Sequence, residues 1–159
     1  MYSNRKSAAA LGHGVGAAQP AIDRAGNRSY ESLSMLKVLI IEDNDDNREI
    51  LKQQLKHLSY EVAEAANGAE GLKQAEEEKP DIIIIDIMMP EMDGREVARQ
   101  LRANPSTKRI PILAATVLFH SEDLQSCLQA GCDDVLTKPF TMRQLREKLN
   151  ALSHLVRKP

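Results

Sequence analysis

Three carboxylates, a hydroxyl group and an ammonium group each follow a short apolar run in this sequence. Glu42 and Asp43 come directly after KVLII, and Asp86 ends the run of four isoleucines in DIIIID. Thr116 closes IPILAAT, and Lys138 closes DVLTK. Any one of these side chains could be a solvated strand end or a helix cap. Five that fall at equivalent positions indicate a shared site.

This set of side chains suits phosphoryl transfer at a metal ion. Carboxylates gathered in a small volume raise each other's pKa unless a cation lies among them. Oxygen ligands without thiolate or imidazole favour a hard divalent ion, foremost Mg²⁺. Asp86 could act as a nucleophile toward phosphorus. The metal and Lys138 would neutralise charge, and Thr116 could donate a hydrogen bond to a phosphoryl oxygen.

The elements that must position these side chains alternate along the chain. Five apolar runs of strand length are separated by stretches with helical spacing, which indicates a parallel sheet. The four isoleucines at 82–85 fit a central strand covered on both faces. The predicted apolar positions are Ile50, Leu51, Leu55 and Leu58 in the first helix and Leu145, Leu149, Leu152 and Leu155 in the last. Because ligands bind at the carboxyl ends of such strands, we expect the five polar side chains to converge there.

Several other polar residues fit structural roles better than chemical ones. Asp93 precedes GREVARQL and Asn47 precedes REILKQQL, so we expect both to cap helices. We expect Asp45, Asp46 and Asp123 to be surface charges.

Composition narrows the classes of function. The chain has 159 residues with 21 basic and 23 acidic side chains, which leaves no basic field for nucleic acid or a membrane surface. No apolar run approaches the roughly 20 residues that span a bilayer, so we expect a cytoplasmic protein. Cys127 and Cys132 are expected to be reduced thiols. Residues 1–34 show no sustained period and predict a disordered N-terminal extension, which leaves one domain at 35–157 and no room for an output domain.

The motifs closely resemble those of the receiver domain of two-component response regulators. IIEDN is similar to the family's acidic pair, and IIIIDIMMPEMDG is similar to its phosphoacceptor motif. AAT and LTKPF are similar to its switch-threonine and lysine segments, so that the resemblance covers about residues 36–155. It implies an α/β flavodoxin-like (βα)5 three-layer sandwich with a five-stranded parallel sheet of order 2-1-3-4-5.

The resemblance also implies the roles of the acidic residues. Asp86 would be phosphorylated by a histidine kinase or a histidine phosphotransfer protein. Glu42, Asp43 and Asp86 would bind Mg²⁺, and the backbone carbonyl of Met88 would complete the protein's share of the ligands. We therefore expect a phosphoacceptor, with at most slow self-dephosphorylation, rather than an enzyme.

The same resemblance implies how the phosphorylated state is sensed. Lys138 would pair with the phosphoryl oxygens, Thr116 would move toward them on activation, and the peptide between Lys138 and Pro139 would be cis. Val135 occupies the position where the family usually has an aromatic residue, which departs from the usual coupling between threonine and aromatic ring.

Three residues near the expected site are apolar, and two of them, Met88 and Leu118, lie at positions that vary in the family. Val117 follows the switch threonine, where a small residue is common, and its bulk could narrow access to the site. Met88 and Leu118 would flank the phosphoryl group. Because such side chains cannot orient an attacking water, we expect slow self-dephosphorylation.

The resemblance implies a stand-alone regulator in a phosphorelay that docks onto a downstream protein. The expected docking face comprises the fourth helix, the fifth strand and the fifth helix. Its apolar residues include Leu124, Leu128 and Leu145, which the helical stripe predicts to be core residues. We expect a monomer or a phosphorylation-dependent homodimer that contacts neither nucleic acid nor membrane.

Three alternatives stay open. A haloacid-dehalogenase-type phosphatase also uses an aspartyl phosphate, but its nucleophile follows the first strand and a second aspartate lies two residues on. Here Asp86 follows the third strand, and Met88 lies two residues on. A flavodoxin-like FMN binder needs a loop rich in hydroxyl groups and glycine after the first strand, whereas EDNDD would repel phosphate. The third alternative is a receiver that serves a hybrid kinase in a multistep relay.

Overall fold

The computed structural model describes residues 35–117 and 120–156. The predicted N-terminal extension at 1–34, the apolar residue Leu118 and the last residue of the predicted domain lie outside these ranges.

Five strands and five helices alternate along the described ranges. They are β1 (Lys37–Ile41), α1 (Asp45–His57), β2 (Glu61–Ala65), α2 (Gly68–Glu78), β3 (Ile82–Asp86), α3 (Gly94–Ala103), β4 (Ile112–Thr116), α4 (Ser121–Ala130), β5 (Asp134–Thr137) and α5 (Met142–Val156). All paired strands are parallel, and their order in the sheet is β2-β1-β3-β4-β5. The predicted fold class and strand order are confirmed.

The isoleucine run forms the centre of the sheet. Strand β3 pairs with β1 on one side and β4 on the other, and Ile82 to Ile85 are all buried. Ile83 and Ile85 pack in a core with residues of α2, α3 and α4, whereas Ile82 and Ile84 pack in a second core with residues of α1 and α5. Because successive strand residues face opposite sides, four consecutive isoleucines are what a doubly covered strand requires.

The helices bury most of the predicted stripes. Leu51 and Leu55 of α1 are buried, and so are Leu145, Leu149 and Leu152 of α5. Ile50 differs from the expectation, because its side chain is 59% exposed. One residue corresponds to about 100° of rotation around a helix, which turns Ile50 away from the face that carries Leu51. Leu155, in the last turn of α5, is also exposed.

One predicted helix cap is correct and one is wrong. Asp93 precedes α3, and its carboxylate accepts the backbone N–H of Arg95. Helix α1 is capped by Asn44 rather than Asn47, since the Asn44 side chain accepts the N–H of Asn47 at 2.9 Å. A capping side chain must precede the turn whose N–H groups it accepts, and Asn47 already lies inside that turn.

Two further expectations concern cysteines and membranes. Cys127 and Cys132 are free and buried. Within the described part of the chain, no helix is both long and apolar enough to cross a bilayer.

Candidate functional site

Three carboxylates meet at the carboxyl ends of two neighbouring strands. Glu42 and Asp43 directly follow β1, and Asp86 is the last residue of β3, which pairs with β1. Each residue offers one oxygen, and these oxygens lie within 4.8 Å of one another. The convergence follows from the parallel sheet, because the ends of adjacent parallel strands lie at the same edge.

Glu42 is held from two sides. Its side chain is almost fully buried, with 5% of its surface exposed. One carboxylate oxygen accepts the backbone N–H of Asn44 at 3.2 Å, and the other accepts the ammonium group of Lys138 at 2.9 Å. A buried carboxylate needs such partners, because burial of an unpaired charge is costly.

Lys138 connects the fifth strand to the acidic group. Its ammonium nitrogen lies 2.9 Å from Glu42 and 3.8 Å from the Oδ1 atom of Asp86. Its backbone N–H donates to the carbonyl of Thr116 at 2.8 Å, which holds the ends of β4 and β5 side by side. The peptide between Lys138 and Pro139 is cis, as predicted from the resemblance.

The surroundings of Asp86 disfavour the charged form of its carboxyl group. Burial raises the pKa of its carboxyl group from 3.8 to about 6. The positive charge of Lys138 opposes this rise in pKa, whereas Glu42 adds to it. A divalent cation among the three carboxylates would reverse the effect and favour the ionised form.

The loop after Asp86 folds tightly against the end of β3. The backbone N–H of Met88 donates to Asp86 Oδ1 at 3.3 Å, and the N–H of Gly94 donates to the carbonyl of Ile87 at 2.9 Å. A β-carbon at Gly94 would overlap the backbone carbonyl oxygen of Asp86. Glycine is therefore required where α3 begins. The side chain of Met88 is 58% exposed at the rim of the site.

Thr116 and Val135 occupy neighbouring strands next to the site. Thr116 ends β4, is fully buried, and lies opposite Thr137 of β5 in the strand register. Val135 is partly buried and packs against the core beneath α2, α3 and α4. Val117, immediately after Thr116, is exposed. The sensing roles of Thr116 and Val135 stay predictions.

A groove beside the site was not anticipated from the sequence. We call it the α1 groove; its volume is about 330 Å³, and it is lined by Glu42, Asn47, Ile50, Leu51, Gln54, Val117, Lys138, Pro139 and Phe140. No signal in the sequence indicated it, because the helical spacing places Ile50 on the predicted apolar stripe of α1. Two residues of the site, Glu42 and Lys138, also line the groove.

The comparisons with known proteins agree on one family. Residues 38–150 match the family described as response regulator receiver domain. The chain is 38% identical over 116 residues to the alkaline phosphatase synthesis transcriptional regulatory protein PhoP of Bacillus subtilis, which covers 73% of this chain and 48% of that protein. It is 39% identical over 127 residues to hybrid signal transduction histidine kinase G of Dictyostelium discoideum, covering 78% of this chain and 4% of the kinase. The chain thus spans about half the length, or less, of these curated relatives.

Solved structures give the same result. The chemotaxis protein CheY4 of Vibrio cholerae aligns with a TM-score of 0.72 and 34% identity, covering 75% of this chain and 99% of that one. The receiver domain of a sensor histidine kinase from Pseudomonas aeruginosa, solved with a magnesium ion coordinated in its active site cleft, aligns with a TM-score of 0.69 and 32% identity. That alignment covers 79% of this chain and all of the other.

Proposed function

This chain belongs to the response regulator receiver family, and we propose that it accepts a phosphoryl group on Asp86 from a histidine kinase or a histidine phosphotransfer protein. The observation that carries this proposal is the cluster of three carboxylates, whose oxygens lie within 4.8 Å of one another, beside Lys138. Receiver domains are phosphoacceptors rather than classical enzymes, and the chain's relatives include both regulators and a hybrid kinase.

In the proposed transfer, a carboxylate oxygen of Asp86 attacks the phosphorus atom of a phosphohistidine. A new P–O bond forms as the P–N bond breaks, and the electron pair of that bond returns to the ring nitrogen of the donor histidine. At neutral pH Asp86 is mostly ionised even with its pKa near 6. The nucleophilic form is therefore available.

The residues of the site fit a magnesium ion. The ligand set would be one oxygen each from Glu42, Asp43 and Asp86, together with the backbone carbonyl of Met88, and hard oxygen ligands suit Mg²⁺. Burial raises the pKa of Asp86, and a bound cation would favour its ionised form. When bound, the ion would neutralise phosphoryl oxygens during transfer.

Two further side chains would respond to the phosphoryl group. Lys138 already lies within reach of Asp86 and would pair with a phosphoryl oxygen. Thr116, at the end of the adjacent strand, would donate a hydrogen bond to another. Movement of Thr116 would shift the population between two conformations of the face that binds the downstream protein.

We propose that this downstream face is formed by α4, β5 and α5. Leu128 of α4 is 49% exposed, contrary to its predicted place in the core, whereas Leu145 is buried as predicted. The exposed side chain of Leu128 would be available for contact with a protein partner at α4. Cytoplasmic location, stand-alone action and the choice between monomer and phosphorylation-dependent homodimer stay predictions.

Incubation with Mg²⁺ and acetyl phosphate, followed by intact mass spectrometry, tests the phosphoacceptor. The wild-type chain should gain one phosphoryl group, and Asp86→Asn should gain none. Asp123→Asn is the matched control, because Asp123 lies in the first turn of α4 outside the acidic cluster. No gain by the wild type, or an equal gain by Asp86→Asn, would contradict the proposal.

A further inference from the structure

A single guanidinium group, that of Arg48, joins three segments around the acidic loop. Its NH1 nitrogen donates to the backbone carbonyl of Glu42 at 2.9 Å, and its NH2 nitrogen donates to the carboxylate of Asp45 at 2.6 Å. Its Nε atom lies 3.6 Å from the carboxylate of Glu64 on β2. The side chain is only 17% exposed, so the group is held between α1 and the sheet.

The carbonyl that Arg48 contacts belongs to the peptide between Glu42 and Asp43. This peptide is a rigid plane. Rotation of the plane would move the two acidic residues in different directions, and both contribute oxygens to the carboxylate cluster. A donor that fixes the carbonyl oxygen therefore fixes the orientation of one acidic residue relative to the other.

We propose that Arg48 is a positioning residue, which holds the Glu42–Asp43 peptide in the orientation that binds the divalent cation. This inference rests on the proposed function, because it concerns the same site. The guanidinium group is suited to the task, since its planar fork donates to the Glu42 carbonyl and the Asp45 carboxylate at once. A lysine at this position would retain the charge but would lack the fork.

Removal of Arg48 should change the Mg²⁺ affinity in opposite directions, depending on whether the residue acts through its charge or through its contact with the peptide. A positive charge near the carboxylates repels Mg²⁺, so loss of the charge alone would strengthen Mg²⁺ binding. Loss of the positioning contact would weaken it. Substitution of a residue that orients a metal ligand typically lowers metal affinity by about tenfold or more.

Lys52 offers a matched control on the same helix. It lies one turn further along α1, and its ammonium group pairs with Glu64 at 3.0 Å and with Glu49 at 3.7 Å. It therefore shares one acidic partner with Arg48. Lys52→Gln removes a positive charge from the same surface and leaves the contact with the Glu42 carbonyl in place.

The test measures Mg²⁺ affinity by isothermal titration calorimetry on the full chain, without a phosphodonor. Arg48→Lys and Arg48→Gln should each bind Mg²⁺ roughly tenfold more weakly than the wild type. Lys52→Gln should match the wild type or bind slightly more tightly. Saturating Mg²⁺ should restore most of the phosphorylation rate of Arg48→Lys with acetyl phosphate, which it would not do for a general folding defect.

Three outcomes would overturn the inference. Unchanged Mg²⁺ affinity in Arg48→Lys, together with tighter binding by Arg48→Gln, would show that Arg48 contributes charge alone. Equal weakening by Lys52→Gln would show an effect of the whole helix surface. Absence of Mg²⁺ binding by the wild type would overturn the proposed function as well, and this result is distinct from the other two.

Discussion

The charge of Asp86 should make the metal-free protein less stable at neutral pH. Its pKa in the folded protein, about 6, lies above its ordinary value of 3.8. The folded state therefore binds the proton more tightly than the unfolded state, and the free energy of unfolding falls as pH rises from about 4 to about 6. We expect Asp86→Asn to raise the free energy of unfolding by roughly 1–3 kcal/mol at pH 7 and by little at pH 4. Urea denaturation at both pH values measures the difference.

Magnesium provides the control for this prediction. Excess Mg²⁺ should stabilise the wild type at pH 7 more than Asp86→Asn, because the ion binds the ionised carboxylate of the folded state. If Asp86→Asn raised the free energy of unfolding equally at pH 4 and pH 7, the gain would come from packing of the amide. That result would contradict the electrostatic explanation.

Met88 should slow the loss of the phosphoryl group. Its exposed thioether lies two residues after Asp86 and cannot orient an attacking water. We expect Met88→Asn to shorten the half-life of phosphorylated protein several-fold, as followed by intact mass after removal of the donor. Met35→Asn is the control, because Met35 is similarly exposed but precedes β1. A wild-type half-life of a few seconds would contradict slow self-dephosphorylation.

Single residues differ in how far the sequence could predict them. The convergence of Glu42, Asp43 and Asp86 follows from their places at strand ends, which the apolar runs reveal. The cap of α1 was predicted wrongly because Asn44 and Asn47 lie three residues apart, and either could begin a helix by type alone. The contact of Arg48 with the Glu42 carbonyl could not be predicted, because it depends on a side-chain rotamer that only packing selects.

At the scale of elements, α3 connects β3 to α4. Its first residue, Gly94, packs on the backbone of Asp86. The guanidinium group of Arg95 donates two hydrogen bonds to the carboxylate of Asp93, the N-cap of α3, at 3.0 and 2.7 Å. It also donates to the Ser126 hydroxyl at 2.9 Å. The contacts of Arg95 hold the pKa of Asp93 below its usual value, which favours the ionised cap. Helix α4 is thus tied to the segment that follows Asp86.

Loss of this connection should loosen α4 selectively. We expect Arg95→Met to accelerate amide hydrogen exchange in α4 several-fold and to leave α5 unchanged, because α5 packs on the opposite face of the sheet. Arg99→Met is the matched control, since Arg99 lies one turn further along α3 and pairs with Glu96 on the same helix. Equal acceleration in α4 and α5 would indicate a general loss of stability instead.

At the scale of the whole molecule, the fold was predictable because two independent patterns agree. The unbroken isoleucine run requires cover on both faces, and the helical stretches supply the apolar surfaces that cover it. Among the described residues, the sheet separates two cores, with α2, α3 and α4 on one side and α1 and α5 on the other. The α1 groove was not predictable, because it arises between α1 and the loop after β5, which are distant in sequence.

If Asp86 accepts a phosphoryl group as proposed, small donors and protein donors should depend differently on the α1 groove. A small donor needs only the acidic cluster, whereas a donor protein must also rest on the surface around it, where Ile50 is exposed in the groove wall. We expect Ile50→Glu to reduce phosphoryl transfer from a phosphorylated histidine phosphotransfer protein at least several-fold, because the contact would bury a charge. Labelling by acetyl phosphate should be unaffected. Time courses of both reactions by intact mass measure the two rates.

Leu128, which is exposed on α4, provides the control for Ile50→Glu. Leu128→Glu introduces the same charge on the proposed downstream face, and it should leave both rates at the wild-type value. If Ile50→Glu slowed the two reactions equally, the substitution would have disturbed the acidic cluster itself. If Leu128→Glu alone slowed transfer from the protein donor, the donor would bind across α4. The second result would contradict docking at the groove, whereas the first would mean that Ile50→Glu does not report on docking. Neither would bear on whether Asp86 is the phosphorylated residue.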